Sequence, residues 1–247
     1  MQVRLNDVND RLLHWLKPQV EPEALAWLEE TRLQITQGTP ERFWVSAFSR
    51  VPRYLGKQTL QLSPEDLDLA HDLRPGWMPS DWTVDQVGRT LLVLALPIAS
   101  LEGYQRSLDS LFQNADVGEA IALYQSLPLL PYPELHCDRA AEGIRSNMAA
   151  VFNAVALKSP YPGDYLGENA WNQMILKAVF IGSSLSLIQG LDRRANPTLA
   201  QMLMDYAQER RAAQRSITPE LWSLVTPFYP EYSLNRNGDM KRNGITK

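Results

Sequence analysis

A single cysteine, Cys137, is present among 247 residues. That excludes an internal disulfide framework and any multi-cysteine metal site. Basic residues are not in excess either. Lys and Arg number 24 against 28 Asp and Glu, a formal charge of -4. No overall positive field draws the chain to nucleic acid. The pairs Arg193-Arg194 and Arg210-Arg211 are too isolated to supply one locally. Long hydrophobic runs are missing as well. The most apolar stretch, Leu91 to Leu101, is broken by Pro97. It is far short of the roughly 20 residues that a spanning helix needs. Asp7 and Asp10 interrupt the N-terminal segment, and no apolar run like that of a secretory signal follows. Neither end carries a lipid-anchor pattern. These absences lead to the expectation of a soluble, cytoplasmic protein without direct membrane insertion or nucleic-acid binding.

Catalytic signatures are scarce too. There is no Gly-x-Ser-x-Gly elbow, no phosphate-loop glycine pattern and no H-E-x-x-H. The aspartate-rich magnesium motif of helical prenyl-transfer enzymes is also missing. His136-Cys137-Asp138 is the one compact set of metal-capable side chains, but adjacent positions cannot face one ion together. His14 and His71 have no helical ligand spacing to it. A structural role is expected there, with no metal and no cofactor.

What is present is ordinary globular chemistry. Apolar residues make up 45% and charged residues 21%, enough for a sizeable core and against wholesale disorder. Alternation at period two is rare, and Asn-Gly pairs occur only near the end, at Asn237-Gly238 and Asn243-Gly244. Helical spacing dominates instead. Leu5, Val8, Leu12, Leu13, Trp15 and Leu16 share a face, and Leu25, Trp27, Leu28, Leu33 and Ile35 repeat the pattern. Proline supplies punctuation at Thr39-Pro40, Ser63-Pro64, Asn196-Pro197 and Thr218-Pro219, each with a capping side chain just ahead of it.

The pattern predicts helices over 2–17, 22–37, 40–50, 64–73, 83–95, 99–113, 117–126, 137–157, 168–181, 197–214 and 218–226. The implied fold is all-α: a single compact domain of about 10–12 helices, arranged as an irregular bundle or solenoid-like array. No composition shift marks an internal boundary. The domain is expected to span 1–230, with a polar, disordered tail over 231–247.

Candidate binding residues concentrate in the later helices. On a continuous helix over 137–157, Arg139, Glu142, Gly143, Ser146, Ala150 and Asn153 would share one face, with Arg145 nearby. Much of that face is small, which suits the approach of a ligand. It equally suits a tight helix contact with Arg139–Glu142 as a surface pair. Over 168–181, Asn169, Asn172, Gln173 and Lys177 form an amide-rich stripe, and amides suit sites that need fixed hydrogen bonds. A buried Lys177 would have a lowered pKa and could act as a base or Schiff-base amine; a snorkelling or acid-paired lysine fits the same position. Asp192, Arg193 and Arg194 precede the cap at Asn196, where they could grip an anion or tie the loop to its neighbours. The loop Tyr161-Pro162-Gly163-Asp164-Tyr165 could close over the same region.

Several stretches resemble the EboA family. They are Arg139-Ala140-Ala141-Glu142-Gly143-Ile144-Arg145-Ser146-Asn147-Met148, Asn169-Ala170-Trp171-Asn172-Gln173-Met174, and Gly190-Leu191-Asp192-Arg193-Arg194-Ala195-Asn196-Pro197-Thr198-Leu199 with Asp205-Tyr206-Ala207. Leu73-Arg74-Pro75-Gly76-Trp77, Ala115-Asp116-Val117-Gly118-Glu119 and Leu129-Leu130-Pro131-Tyr132-Pro133 add to it. The likeness runs from about Pro22 to Phe228 and does not reach the tail. It implies a protein encoded beside relatives of a prenyltransferase, a metal-dependent hydrolase, a cyclitol synthase and a sugar isomerase. That cluster is associated with a specialised metabolite and, in cyanobacteria, with moving a sunscreen-pigment precursor into the periplasm. The family offers no catalytic residues to carry over.

Two functional readings follow. In the first, the chain is an accessory protein that binds a pathway intermediate or another protein of the cluster. In the second, it is an enzyme on a cyclitol- or prenyl-type intermediate, with Lys177, Glu142 or Asp192 as acid or base. The first is the preferred expectation.

Overall fold

The computed structural model describes residues 5–230 and the backbone of 232–234 and 240–242. The described chain is all-α apart from one short ladder and a single bridge between Thr59 and Thr83, and its contacts form two compact units, 1–161 and 162–247.

The first unit is built around α5 (Val84–Leu94), which is buried at nearly every position. It packs against α1 (Leu5–Leu16), α2 (Pro22–Thr36), α3 (Glu41–Leu55) and α7 (Val117–Ser126). This placement explains why the most apolar stretch of the sequence begins here, since a helix covered on all sides has no polar face to keep. Two charges enter with it. Arg89 and Asp85 pair at 2.5 Å, both nearly inaccessible, and Arg89 Nε also donates to the Phe48 carbonyl at 3.3 Å. Pairing and added hydrogen bonds are what allow charges so deep. Gly88 lets α3 approach: a Cβ there would lie 2.8 Å from Leu55 and 2.9 Å from Val51.

Of the four capping side chains expected ahead of proline, Ser63 and Asn196 cap their helices, whereas at Thr39 and Thr218 the helix starts one residue after the proline, at Glu41 and Glu220, without a side-chain cap. α4 (Pro64–Leu73) opens with a reciprocal box in which Ser63 N–H donates to Asp66 and Asp66 N–H to Ser63 Oγ. Burial alone would raise the Asp66 pKa. Hydrogen bonds from Ser63 and from the Trp15 indole hold it below the usual aspartate value. α7 opens with the same box between Asp116 and Glu119. α3 runs past the expected end at residue 50, through Pro52, to Gly56 at φ 85°. A proline so near the C-terminus removes little of the ladder, while Val51 and Leu55 anchor the last turn in the core.

The expected helix over 137–157 is two helices, α8 (Cys137–Arg145) and α9 (Ala149–Ala156). Ser146 breaks it. Its N–H bonds back to Gly143, its backbone turns extended, and its hydroxyl accepts from Met148 N–H at 3.2 Å. This local bonding competes with helix continuation. The face proposed for one helix therefore does not exist as one face.

The second unit holds α11 (Glu168–Ile181), α13 (Pro197–Ala212) and α14 (Glu220–Val225), with α11 and α14 each packed on α13. Two short helices were not expected: α10 (Tyr161–Tyr165), which begins at the last residue of the first unit, and α12 (Leu191–Arg194). In the tail, 232–234 pairs antiparallel with 240–242, Ser233 opposite Lys241. Residues 1–4, 231, 235–239 and 243–247, which include both Asn-Gly pairs, lie outside the described residues.

Candidate functional site

One polar residue of the early turns of α11 is held by its own unit. Asn172 is buried and exchanges amide hydrogen bonds with Asn196, at 3.2 and 2.9 Å. The same Asn196 oxygen accepts from Leu199 N–H at 2.8 Å and caps α13, the role expected of it. Arg194 lies over the buried Trp171 ring at 4.8 Å. Its Nη1 reaches the carbonyls of Pro162, Gly163 and Leu166, the last at 2.7 Å. Burial, then neighbouring Arg193, pull its pKa below the usual guanidinium value. Arg193 pairs with Asp164 at 2.6 Å. These two arginines tie the 189–196 turn to α10, which is a pinned helix where the sequence suggested a closing loop.

The remaining candidates differ in exposure and in the unit that holds them. Asn169, Gln173 and Asp192 are exposed. Lys177 is half-buried, and desolvation lowers its pKa. Arg139, Glu142, Arg145 and Asn153 belong to the first unit. There Arg139 bonds Glu142 and Asp109, each at 2.6 Å, and stacks over Phe112 at 4.6 Å. Burial opposes its charge, but the two carboxylates raise its pKa overall. Gly143 is packed rather than open: a Cβ there would sit 2.7 Å from the Tyr124 ring and from Val155. Burial, and next the Glu142 carboxylate, push the Tyr124 phenol up to about 12. Arg145 is exposed and Asn153 half-buried. His136 is buried, with Nε2 2.9 Å from the Pro131 carbonyl, and burial lowers its pKa. Among the described residues, no three His, Cys, Asp or Glu side chains gather as metal ligands.

An open space lies at the other end of α11. A half-open hollow of about 440 Å³ is walled by Val179, Gly182, Ser183, Ser184 and Leu185 on one side and by Thr218, Pro219 and Glu220 on the other. Gly182 takes φ 76° and ends α11, with its N–H and that of Ser183 both bonding the Ala178 carbonyl. The turn that follows carries Ser183 and Ser184 to the hollow. Beside it, Phe180 and Ile181 face solvent, Phe180 at 70% exposure. None of the ten candidates read from the sequence lines this space. The available signal was the run Val179-Phe180-Ile181-Gly182-Ser183-Ser184, an apolar helix end followed by small hydroxyl residues. Thr218-Pro219-Glu220 was legible only as a helix start.

The hollow's lining combines apolar residues, three residues that carry hydroxyls and one acidic residue, the mixture of residue types common in clefts for small organic molecules. No helix among the described residues is long and apolar enough to cross a membrane. No curated protein and no solved structure matches the chain. A family model described as metabolite traffic protein EboA matches residues 8–226. With most of its length matched, including α11, α13 and the Thr218–Glu220 wall, the chain belongs to the EboA family.

Proposed function

We propose that the chain is an accessory protein of metabolite traffic, a helical module that holds a pathway intermediate for partner proteins of the same gene cluster. The family description points to small-molecule or protein partners. The observation that carries the reading is the hollow at the end of α11, with its mixed apolar and hydroxyl-bearing lining. In this reading the protein works in the cytoplasm and supports synthesis of the metabolite or its export to the periplasm. The amide and guanidinium groups at 172, 193 and 194 then serve as the frame that fixes α11.

The test is native mass spectrometry of the full chain, incubated with small-molecule extract from cells that carry the cluster. The wild type should retain a discrete added mass, and Ser183→Trp, which fills the hollow, should lose it. Equal retention by both proteins would remove the hollow from the account. An enzyme that uses Lys177, Glu142 or Asp192 is the second reading. It is favoured by one observation, the lowered pKa of half-buried Lys177. Turnover of the retained molecule by wild type and not by Lys177→Met would establish it.

A further inference from the structure

We infer that the hollow at the end of α11 selects an apolar molecule bearing an amine or other cationic group, and disfavours carboxylates and phosphates. The inference rests on the reading above and specifies the charge of the ligand. Two independent features set the sign. Glu220 is the one charged residue of the wall, and no lining residue is basic. The wall also includes the end of a 14-residue helix, at Val179 and Gly182. The C-terminus of such a helix carries the negative end of the macrodipole, which a basic side chain in the last turn commonly offsets. α11 has no basic residue in its last turn.

The carboxylate is stable in its own place. Glu220 stands in the first turn of α14, where its charge is favoured. The Thr218 hydroxyl, and that of Ser184 beside its 2.8 Å bond with Ser186, can donate or accept, so they accommodate a ligand's N–H or O–H donors without changing the sign. Val179, Leu185 and Pro219 provide the apolar contact. An anion entering here would meet Glu220 and the end of α11 with no basic residue in the lining, and like-charge contact is a means of rejection. A cation meets both favourably.

The experiment uses the full chain, methyl-labelled, titrated with three probes of one shape: 3-phenylpropylamine, 3-phenylpropan-1-ol and 3-phenylpropanoate. Val179 and Leu185 methyl shifts report binding. The amine should bind about fivefold more tightly than the alcohol, as expected for one partly exposed charge pair, with the carboxylate weakest. Glu220→Gln should cut the amine's advantage over the alcohol to the smaller part owed to the helix end, in the fold already shown by the methyl spectrum of the free variant. A carboxylate that binds as well as the amine, or an amine advantage undiminished by Glu220→Gln, overturns the inference while leaving the hollow a binding site. If no probe moves the two methyls, the hollow itself fails and the inference goes with it.

Discussion

The two ends of α11 have opposite fates. In its first turns, Trp171 and Asn172 are buried, one beneath a guanidinium and the other in an amide exchange. At its last turn, Phe180 stands largely in solvent beside a hollow lined by hydroxyls. The first end has residues that look functional on paper, and the fold consumes Asn172 among them while Asn169 and Gln173 stay exposed. The second has little to attract notice in the sequence, and the fold leaves it open. A polar side chain suggests a site only when its hydrogen bonds are not already spent within its own unit.

The largest expected effect comes from breaking the closed end. Arg194→Met should lower stability by about 3 kcal/mol, since it removes donors from three carbonyls and a cation from the Trp171 face. Denaturant unfolding measures this directly. Retention of ligand well below the transition should not change. The reverse pattern, unchanged stability with lost retention, would make Arg194 a ligand group and erase the contrast.

Asn172→Leu comes next, at about 1–2 kcal/mol, because the replacement is close in volume but leaves the Asn196 amide short of a partner. Asn196 keeps its bond to Leu199 N–H, so α13 should stay capped. Hydrogen exchange at Leu199 and Ala200 separates the two effects. Protection should persist there, whereas Asn196→Ala should reduce it.

The helical class and most helix positions were legible because they rest on local rules. Ser63, Asp116 and Asn196 cap as their side-chain chemistry requires. α4, α7 and α11 have the expected bounds, since proline, acid and glycine mark both ends. The failures rest on competition and on tertiary contact. Ser146 halts a helix through a hydrogen bond weaker than any sequence pattern can weigh. Gly143 was correctly read as a place of close approach, but sequence cannot say whether the visitor is a ligand or the Tyr124 ring. The buried Asp85–Arg89 pair went unnoticed because an i,i+4 pair usually marks a solvated face. The hollow joins residues near 180 and near 220, and no local rule connects them.

The smallest predicted change tests the open end. Phe180→Ser should alter stability by no more than about 0.5 kcal/mol, since substitutions of exposed residues with no special role rarely do more. At 70% exposure the ring has little packing to lose, and serine there trades a solvated aromatic for a solvated hydroxyl. The helix propensity of the two residues is similar, so the backbone offers no compensating term. Ile181, at 37% exposure, is the internal control. Ile181→Ser should cost more than Phe180→Ser, because more of its side chain is covered. A loss above about 1 kcal/mol at Phe180 exceeds what an exposed residue supplies. It would mean that this end of α11 is covered in solution, and the difference between the two ends would then be one of partner, not of structure.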